Sequence, residues 1–463
     1  MARKKKTFDY DLIIIGSGAG GSVTAHQLAR AGKRVAIVEA GRIGGECPNI
    51  GCVPTKALLH AAEIYEAAKN GSRFGIRGST VGYNYPSIRA WKNLAVKRTG
   101  TYLGEEMYTE EGITVVNGRA HFIDSHTITV GAARFTAQNF LIATGSELAT
   151  PPIPGLEKSG YLTFKEAIDL NRPPKSLAII GGGAIGCEFA NLFAIFGTKV
   201  YIIDIAPGLL AKEEPSVGTF LKKRFEEDYS MTVLTKTTVE KVSTYGAKKR
   251  LVLRTGKKKE EQISVDEILL ATGKRAAIDI GLENAGVTHA NGSIDVNDYM
   301  QTTARHIFAA GDCVGPYLFT HMATYQSRIV AHNILHPRKK AAAQYYAVPR
   351  CVFTNPEVAS VGPTEAELKA SNFKYKTASV PIAVIGRANT SDFKDGFVSV
   401  IAEEKTNILL GATIVSPRAG EMIHELAVAI QNNLTTQNIA ETIHAFPTWS
   451  EAVRVACAKL SRS

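Results

Sequence analysis

Two stretches of the chain repeat one pattern of apolar and polar positions. In the first, Leu12-Ile13-Ile14-Ile15 is continuously apolar and breaks into Gly16-Ser17-Gly18-Ala19-Gly20-Gly21. A helical stretch runs on to Ala31-Gly32, and a second apolar run, Arg34-Val35-Ala36-Ile37-Val38-Glu39, ends in a carboxylate. The second stretch has Ser176-Leu177-Ala178-Ile179-Ile180, then Gly181-Gly182-Gly183-Ala184-Ile185-Gly186, a helix to Phe196-Gly197, and Lys199-Val200-Tyr201-Ile202-Ile203-Asp204. Short apolar runs bounded by glycine predict strands buried on both faces, as in a parallel sheet. Each stretch therefore predicts strand, glycine turn, helix, strand. Two further apolar runs, Phe140-Leu141-Ile142 and Ile268-Leu269-Leu270, each pass into Ala-Thr-Gly (Ala143-Thr144-Gly145 and Ala271-Thr272-Gly273) and would close the two units. The run Pro151-Pro152-Ile153-Pro154-Gly155 reads as the crossover between them. From residue 347 to 463 the pattern changes to alternating strands and two amphipathic helices, a separate α+β region.

The glycines are spaced as a dinucleotide fingerprint requires, with a strand before, a helix after, and an acid about twenty residues on. Gly16 and Gly181 allow the tight turn, and Gly18 and Gly183 let a pyrophosphate approach the backbone at the positive end of a helix. Gly21 and Gly186 allow close packing of helix on strand. Glu39 and Asp204 are placed to accept hydrogen bonds from a ribose diol. The plainer alternative is a pair of helix-capping turns with no ligand.

Composition narrows the class. At 463 residues, 45% hydrophobic and 21% charged, the chain suits a soluble protein of about three domains. No apolar run is long enough to cross a bilayer. The basic start, Arg3-Lys4-Lys5-Lys6, is followed by too short an apolar run for a signal peptide, so a cytoplasmic protein is expected. The formal charge of +11 comes from residues scattered along the chain, with clusters only at the N-terminus and at Lys257-Lys258-Lys259, where a hairpin turn is expected. That argues against nucleic acid as a partner and for a basic surface that attracts phosphate-bearing cofactors.

Six cysteines in a chain of this kind are not a disulfide framework. Cys187, Cys313, Cys351 and Cys457 lie in apolar or glycine-rich surroundings and read as bystanders. Cys47 and Cys52 fall in Gly44-Gly45-Glu46-Cys47-Pro48-Asn49-Ile50-Gly51-Cys52-Val53-Pro54-Thr55-Lys56, ahead of a helix expected over 57–68. A distorted helical turn can bring such a pair within bonding distance. A helix N-terminus and Lys56 both favour thiolate over thiol. Half of a metal site is the alternative, but no second Cys/His cluster completes a tetrahedral set, and no metal is expected.

With these motifs the chain resembles the class I pyridine nucleotide-disulfide oxidoreductases, a family that includes dihydrolipoamide dehydrogenase, glutathione reductase and mercuric reductase. Ala309-Ala310-Gly311-Asp312, Leu318-Phe319-Thr320-His321 and Val352-Phe353-Thr354-Asn355-Pro356-Glu357 extend the likeness over nearly the whole length. The resemblance implies an α/β fold with two Rossmann-like dinucleotide domains, one for FAD (1–150 and 277–346) and one for NAD (151–276), and a dimerisation domain (347–463). It implies a homodimer in which the C-terminal segment of one subunit completes the other's active site. FAD contacts would come from Gly16, Gly18, Gly21, Glu39, Gly45, Lys56, Ala120, Thr144, Gly145, Asp312, Phe319, Thr320 and His321. NAD contacts would come from Gly181, Gly183, Gly186, Asp204 and Gly273. Electrons would pass from NAD(P)H through the flavin to Cys52, with Cys47 meeting a small-molecule acceptor. Lys56 would stand beside the flavin N5, paired with Glu188.

The likeness breaks near the C-terminus. The family's disulfide reductases carry a histidine directly before a proline, oriented by a glutamate four residues after it. Here the run is His444-Ala445-Phe446-Pro447-Thr448-Trp449-Ser450-Glu451, so Glu451 is kept while Phe446 holds the histidine's place. His444 would serve as acid/base only if the loop were re-routed. Weak turnover of lipoamide or glutathione disulfide is expected, and the acceptor is expected to be small: a metal ion such as Hg(II), a quinone or a disulfide. Mercuric reductases share the missing histidine but carry a C-terminal cysteine pair where this chain has only Cys457. An ordinary dihydrolipoamide dehydrogenase and a low-turnover flavin redox sensor are the alternative readings. Glu46 and Pro48 replace a threonine and an aliphatic residue usual in the family. Asp204 with no following arginine favours NADH over NADPH, although Lys212 is near in sequence.

Overall fold

The computed structural model describes residues 7–77, 81–100, 104–256 and 260–462. The basic N-terminal cluster and Lys257-Lys258-Lys259, where a hairpin turn was expected, lie outside the described residues. The chain divides into two compact units: residues 1–57, 89–149 and 273–344 form the first, and residues 58–88, 150–272 and 345–463 the second.

The first unit is built on a seven-stranded sheet. Strand Tyr10–Ile15 lies at its centre, parallel to Val35–Glu39 on one side and to Ala133–Ile142 on the other. Thr114–Asn117 and Ile307–Ala309 extend the parallel part at either side, and an antiparallel hairpin, Ala120–Asp124 with Thr127–Val130, continues from Ala133–Ile142. Leu12, Ile13 and Ile14 are fully buried, as the unbroken apolar run requires. On one face of the strand, Ile13 and Ile15 enter a core with Ala36, Val38, Phe140, Ile142 and Ile307.

The second unit repeats the motif. Ser176–Ile180 pairs in parallel with Lys199–Ile203 and with Glu267–Leu270, and Thr232–Leu234 adds the outer strand. A three-stranded antiparallel sheet, 237–265, follows within it. Residues 350–416 supply a five-stranded antiparallel sheet backed by helices Ala419–Gln431 and Glu451–Ser461, whose Ile423, Leu426, Val453 and Leu460 enter its core. The α/β fold read from the pattern, two nucleotide-type sheets and a C-terminal α+β segment, is the fold observed. No helix among the described residues is long and apolar enough to cross a membrane.

One corner of the first unit is pH-sensitive. His126 stacks on His306 at 4.1 Å and on Phe8 at 4.9 Å. Each histidine donates to a main-chain carbonyl, His126 Nδ1 to Ala137 and His306 Nε2 to Ser125. Burial, with His126 adding to it, pushes the His306 pKa below its ordinary value. The folded state therefore favours neutral His306, and this contribution is complete above the unfolded pKa near 6.5 and is lost as pH falls through the lower folded value. Between pH 7.5 and 5.5 the melting temperature of His306→Phe is expected to fall less than that of the native chain. Equal falls would refute the assignment.

Candidate functional site

The first glycine turn is shaped by its backbone. Gly16 has φ +107°, and a Cβ there would meet the Ala143 carbonyl at 2.2 Å. A Cβ on Gly21 would meet the Gly16 carbonyl at 2.2 Å, so helix Ala19–Arg30 can lie on its strand only without a side chain. At Gly18 the nearest atom to such a Cβ is the Gly45 Cα at 3.9 Å, leaving the helix N-terminus open to an anion. Glu39, at the end of its strand, accepts from the Ser17 amide and hydroxyl (2.9 and 2.6 Å) through one oxygen and from the Gly41 amide (2.7 Å) through the other.

The remaining candidate FAD residues fall in the same unit. Asp312 accepts from the Ser146 hydroxyl at 2.6 Å. Gly145 has a positive φ beside Thr144, whose buried hydroxyl has no hydrogen-bond partner among the described residues. Ala120 is buried at the start of its strand. Phe319 caps helix Thr320–Leu335, and its ring stacks on His321 at 5.2 Å. An open anion pocket at a helix N-terminus, a carboxylate at the strand end and an orphaned buried hydroxyl suit FAD.

The cysteines lie in this unit as well. Glu46–Asn49 forms a single short turn, and the long helix begins at Cys52 itself, not at Ala57 as expected, running to Lys69. The correction has a simple cause: Thr55 donates its amide and hydroxyl to the Gly51 carbonyl, closing the first helical turn over the second cysteine. Lys56 thus sits inside the helix. The two sulfurs are unbonded here, Cys47 half-buried and Cys52 exposed, and Cys52 Sγ lies 3.6 Å from the Thr320 hydroxyl. The Cys47 thiol is pushed well above the ordinary thiol range by its hydrogen bond to Cys52 and by burial, and a negative charge on Cys52 opposes its ionisation further. The expected bias toward thiolate therefore does not extend to Cys47. Burial raises Cys313 to about 11 and Cys457 to about 12, and raises Cys187 too, which makes these thiols inert at neutral pH.

In the second unit, Gly181 and Gly186 repeat the roles of Gly16 and Gly21, a Cβ on Gly186 meeting the Gly181 carbonyl at 1.9 Å. A Cβ on Gly183 would meet nothing within 4 Å, at the N-terminus of helix Ala184–Ile195. Asp204 accepts from the Gly182 amide at 2.5 Å and from the Ala206 amide at 2.7 Å. This arrangement suits a second dinucleotide. Gly273 belongs to the first unit, with φ +98°. Glu188 is buried in the second unit and accepts from the Phe353 amide at 3.0 Å.

The C-terminal loop has its own arrangement. Phe446 is 76% exposed. His444 is turned inward, with Nε2 against Glu425 at 2.8 Å and Nδ1 donating to the Thr442 carbonyl. Glu451 opens the last helix, buried, and accepts from the Thr448 amide at 3.2 Å. Sequence reasoning missed Glu425, Ser17, Ser146 and Lys274; the last forms an ion pair with Glu46. Among the described residues no group of three or more His, Cys, Asp or Glu side chains could hold a metal.

Residues 10–333 match the family model for pyridine nucleotide-disulphide oxidoreductases, and residues 348–457 match that family's dimerisation domain. A mercuric reductase of Staphylococcus aureus is 34% identical over 97% of this chain and 82% of its own length. A dihydrolipoyl dehydrogenase of Geobacillus stearothermophilus is 35% identical over 95% of this chain and 94% of its own. Among solved structures, a Cu(II) complex of the HOCl-induced flavoprotein disulfide reductase RclA from Escherichia coli superimposes with a TM-score of 0.86 at 28% identity, covering 98% of this chain and 100% of that one.

Proposed function

Because the chain belongs to the pyridine nucleotide-disulphide oxidoreductases, enzymes that use FAD and NAD(P)H, we propose that it oxidises NADH and delivers the electrons through Cys52 and Cys47 to a small acceptor, a metal ion or quinone, rather than to a disulfide. Bound FAD supplies the relay of the electron pair from the nicotinamide to the cysteines. The protein's residues do the rest. Gly18 and the helix behind it hold a pyrophosphate, Glu39 and Asp312 orient the sugar portions, and Thr320 holds Cys52. Gly183 and Asp204 hold the nicotinamide dinucleotide, and the carboxylate of Asp204 disfavours a 2′-phosphate. Reduction of the Cys47–Cys52 disulfide takes up two electrons and two protons, and a two-electron acceptor takes the electrons back, re-forming the disulfide and releasing the protons. The subunit works as a homodimer, with residues 273–276 belonging to the FAD domain, because they fold with the first unit rather than with the nicotinamide domain to which the sequence assigned them.

The observation that carries the reading is the C-terminal loop. A disulfide acceptor needs an acid to protonate the sulfur that leaves. In this chain the position before Pro447 presents an exposed phenyl ring, and the neighbouring histidine is held by Glu425. The exposed ring offers no proton, which suits a metal ion that needs none or a quinone that takes up the two protons the thiols release as the disulfide re-forms. Support for a metal ion comes from relatives named mercuric reductase and from the copper complex of RclA. Retention of Glu451, together with the dihydrolipoyl dehydrogenase relatives, favours the alternative, a lipoamide enzyme. An anaerobic panel of Hg(II), Cu(II), quinone and lipoamide with NADH separates the two. The proposal expects lipoamide to be the poorest acceptor, and Phe446→His to raise lipoamide turnover at least about tenfold. Lipoamide turnover above that of every other acceptor would overturn it.

A further inference from the structure

Glu46 and Lys274 are far apart in sequence, yet they form an ion pair, and Glu46 is the residue that precedes Cys47 in its turn. Lys274 is 14% exposed and Glu46 33%, so the pair is partly withdrawn from water. Its two ends are anchored differently. Glu46 opens the turn that carries Cys47, and its carbonyl accepts from the Ile50 and Gly51 amides at 2.9 and 2.8 Å. Lys274 begins a short strand, Lys274–Ala276, that pairs antiparallel with Ser146–Leu148, and Ser146 in turn donates to Asp312. The turn that presents Cys47 is thereby fastened to the strand pair that orients Asp312.

We infer that Lys274 is a positioning residue for Cys47, acting through Glu46: it holds the turn in place and cancels a carboxylate charge that would otherwise stand one residue from the thiol. A glutamate at this position without its lysine would oppose formation of the Cys47 thiolate. The other groups acting on the thiol are Cys52 and the Thr320 hydroxyl. Nearby, Arg275 is turned to Glu147 and Asp312 to Ser146, so neither competes for the pair. The inference rests on the proposed role of Cys47 as the thiol that meets the acceptor.

The test is alkylation of Cys47 by iodoacetamide, followed by mass spectrometry across pH, in the flavin-loaded full chain carrying Cys52→Ser, where Cys47 titrates alone. Lys274→Met is expected to slow labelling at pH 7.5 by about fivefold, and Glu46→Gln to speed it by a similar factor, because one leaves an unpaired anion and the other an unpaired cation. Lys274→Arg, and the exchange Glu46→Lys with Lys274→Glu, should restore the native profile. A purely structural tie would move both single variants in one direction, and that result, or two unmoved profiles, overturns the inference. If Lys274→Met fails to fold, Glu46→Gln against Lys274→Arg decides alone: an unmoved profile in Glu46→Gln refutes it. Absence of any labelling at Cys47 in the parent chain counts instead against the role given to Cys47.

Discussion

Replacement of either Cys47 or Cys52 by serine is expected to lower NADH-driven acceptor reduction by about a thousandfold or more, while leaving flavin content and melting temperature close to native. The two sulfurs share one site, Cys52 on the first turn of its helix against Thr320 and Cys47 half-buried behind it. Neither side chain fills the main core, so a serine is tolerated by the fold and fatal to the relay. The two variants should nevertheless differ. Long-wavelength absorbance that appears on reduction by NADH should persist in Cys47→Ser and vanish in Cys52→Ser, because in the proposed order Cys52 would be the thiol against the flavin. Stopped-flow spectra of both variants under argon make the comparison. If the band survives in Cys52→Ser, the order of the two thiols is wrong.

The second large effect concerns the nucleotide that delivers the electrons. A side chain at Gly183 meets no protein atom within 4 Å, whereas one at Gly186 collides with the Gly181 carbonyl at 1.9 Å. Gly183→Val should therefore fold with native stability and occupy the path of the pyrophosphate, raising the KM for NADH by at least about a hundredfold, since it removes the close approach to the helix N-terminus. Gly186→Val should instead force helix Ala184–Ile195 off its strand and lower the melting temperature. Calorimetry and steady-state kinetics on the two proteins distinguish a binding glycine from a packing glycine. Equal destabilisation by both substitutions would contradict the assignment.

Much of this was legible in the amino-acid order because the decisive features are local. The glycine turns are set by spacing within a few residues, and the Ala-Thr-Gly strand ends fall where the sheets need their closing strands, Ile142 beside Ile15 and Leu270 beside Ile180. What could not be read is set by contacts across long stretches of chain. The helix start at Cys52 depends on how Gly51 accepts from Thr55, a detail of the turn rather than of apolar periodicity. His444 finds Glu425, nineteen residues away on a neighbouring helix, instead of Glu451. Lys274 reaches Glu46 across 228 residues because the fold brings the start of strand Lys274–Ala276 to the turn that Glu46 opens. A lysine after a glycine strand end carries no local signal of such a partner.

The same distinction explains the cysteines. Spacing alone left Cys47 and Cys52 open to a metal-site reading, and the burial of Cys187, Cys313 and Cys457 could only be guessed from apolar neighbours. In the fold those three are sealed in cores, while Cys52 is exposed and Cys47 stands with it. The sealed thiols are out of reach of an oxidant, whereas Cys52 is exposed, so oxidative chemistry is directed to the paired site through Cys52.

The account's central claim is that electrons from NADH arrive at this pair of sulfurs. Oxidised, flavin-loaded protein is titrated anaerobically with NADH, quenched with an alkylating reagent in denaturant, and mapped by mass spectrometry. The predicted result is two newly labelled cysteines, Cys47 and Cys52, rising together as one equivalent of NADH is consumed. NADH oxidation with no gain of label at these two positions, or gain at another cysteine instead, would contradict it.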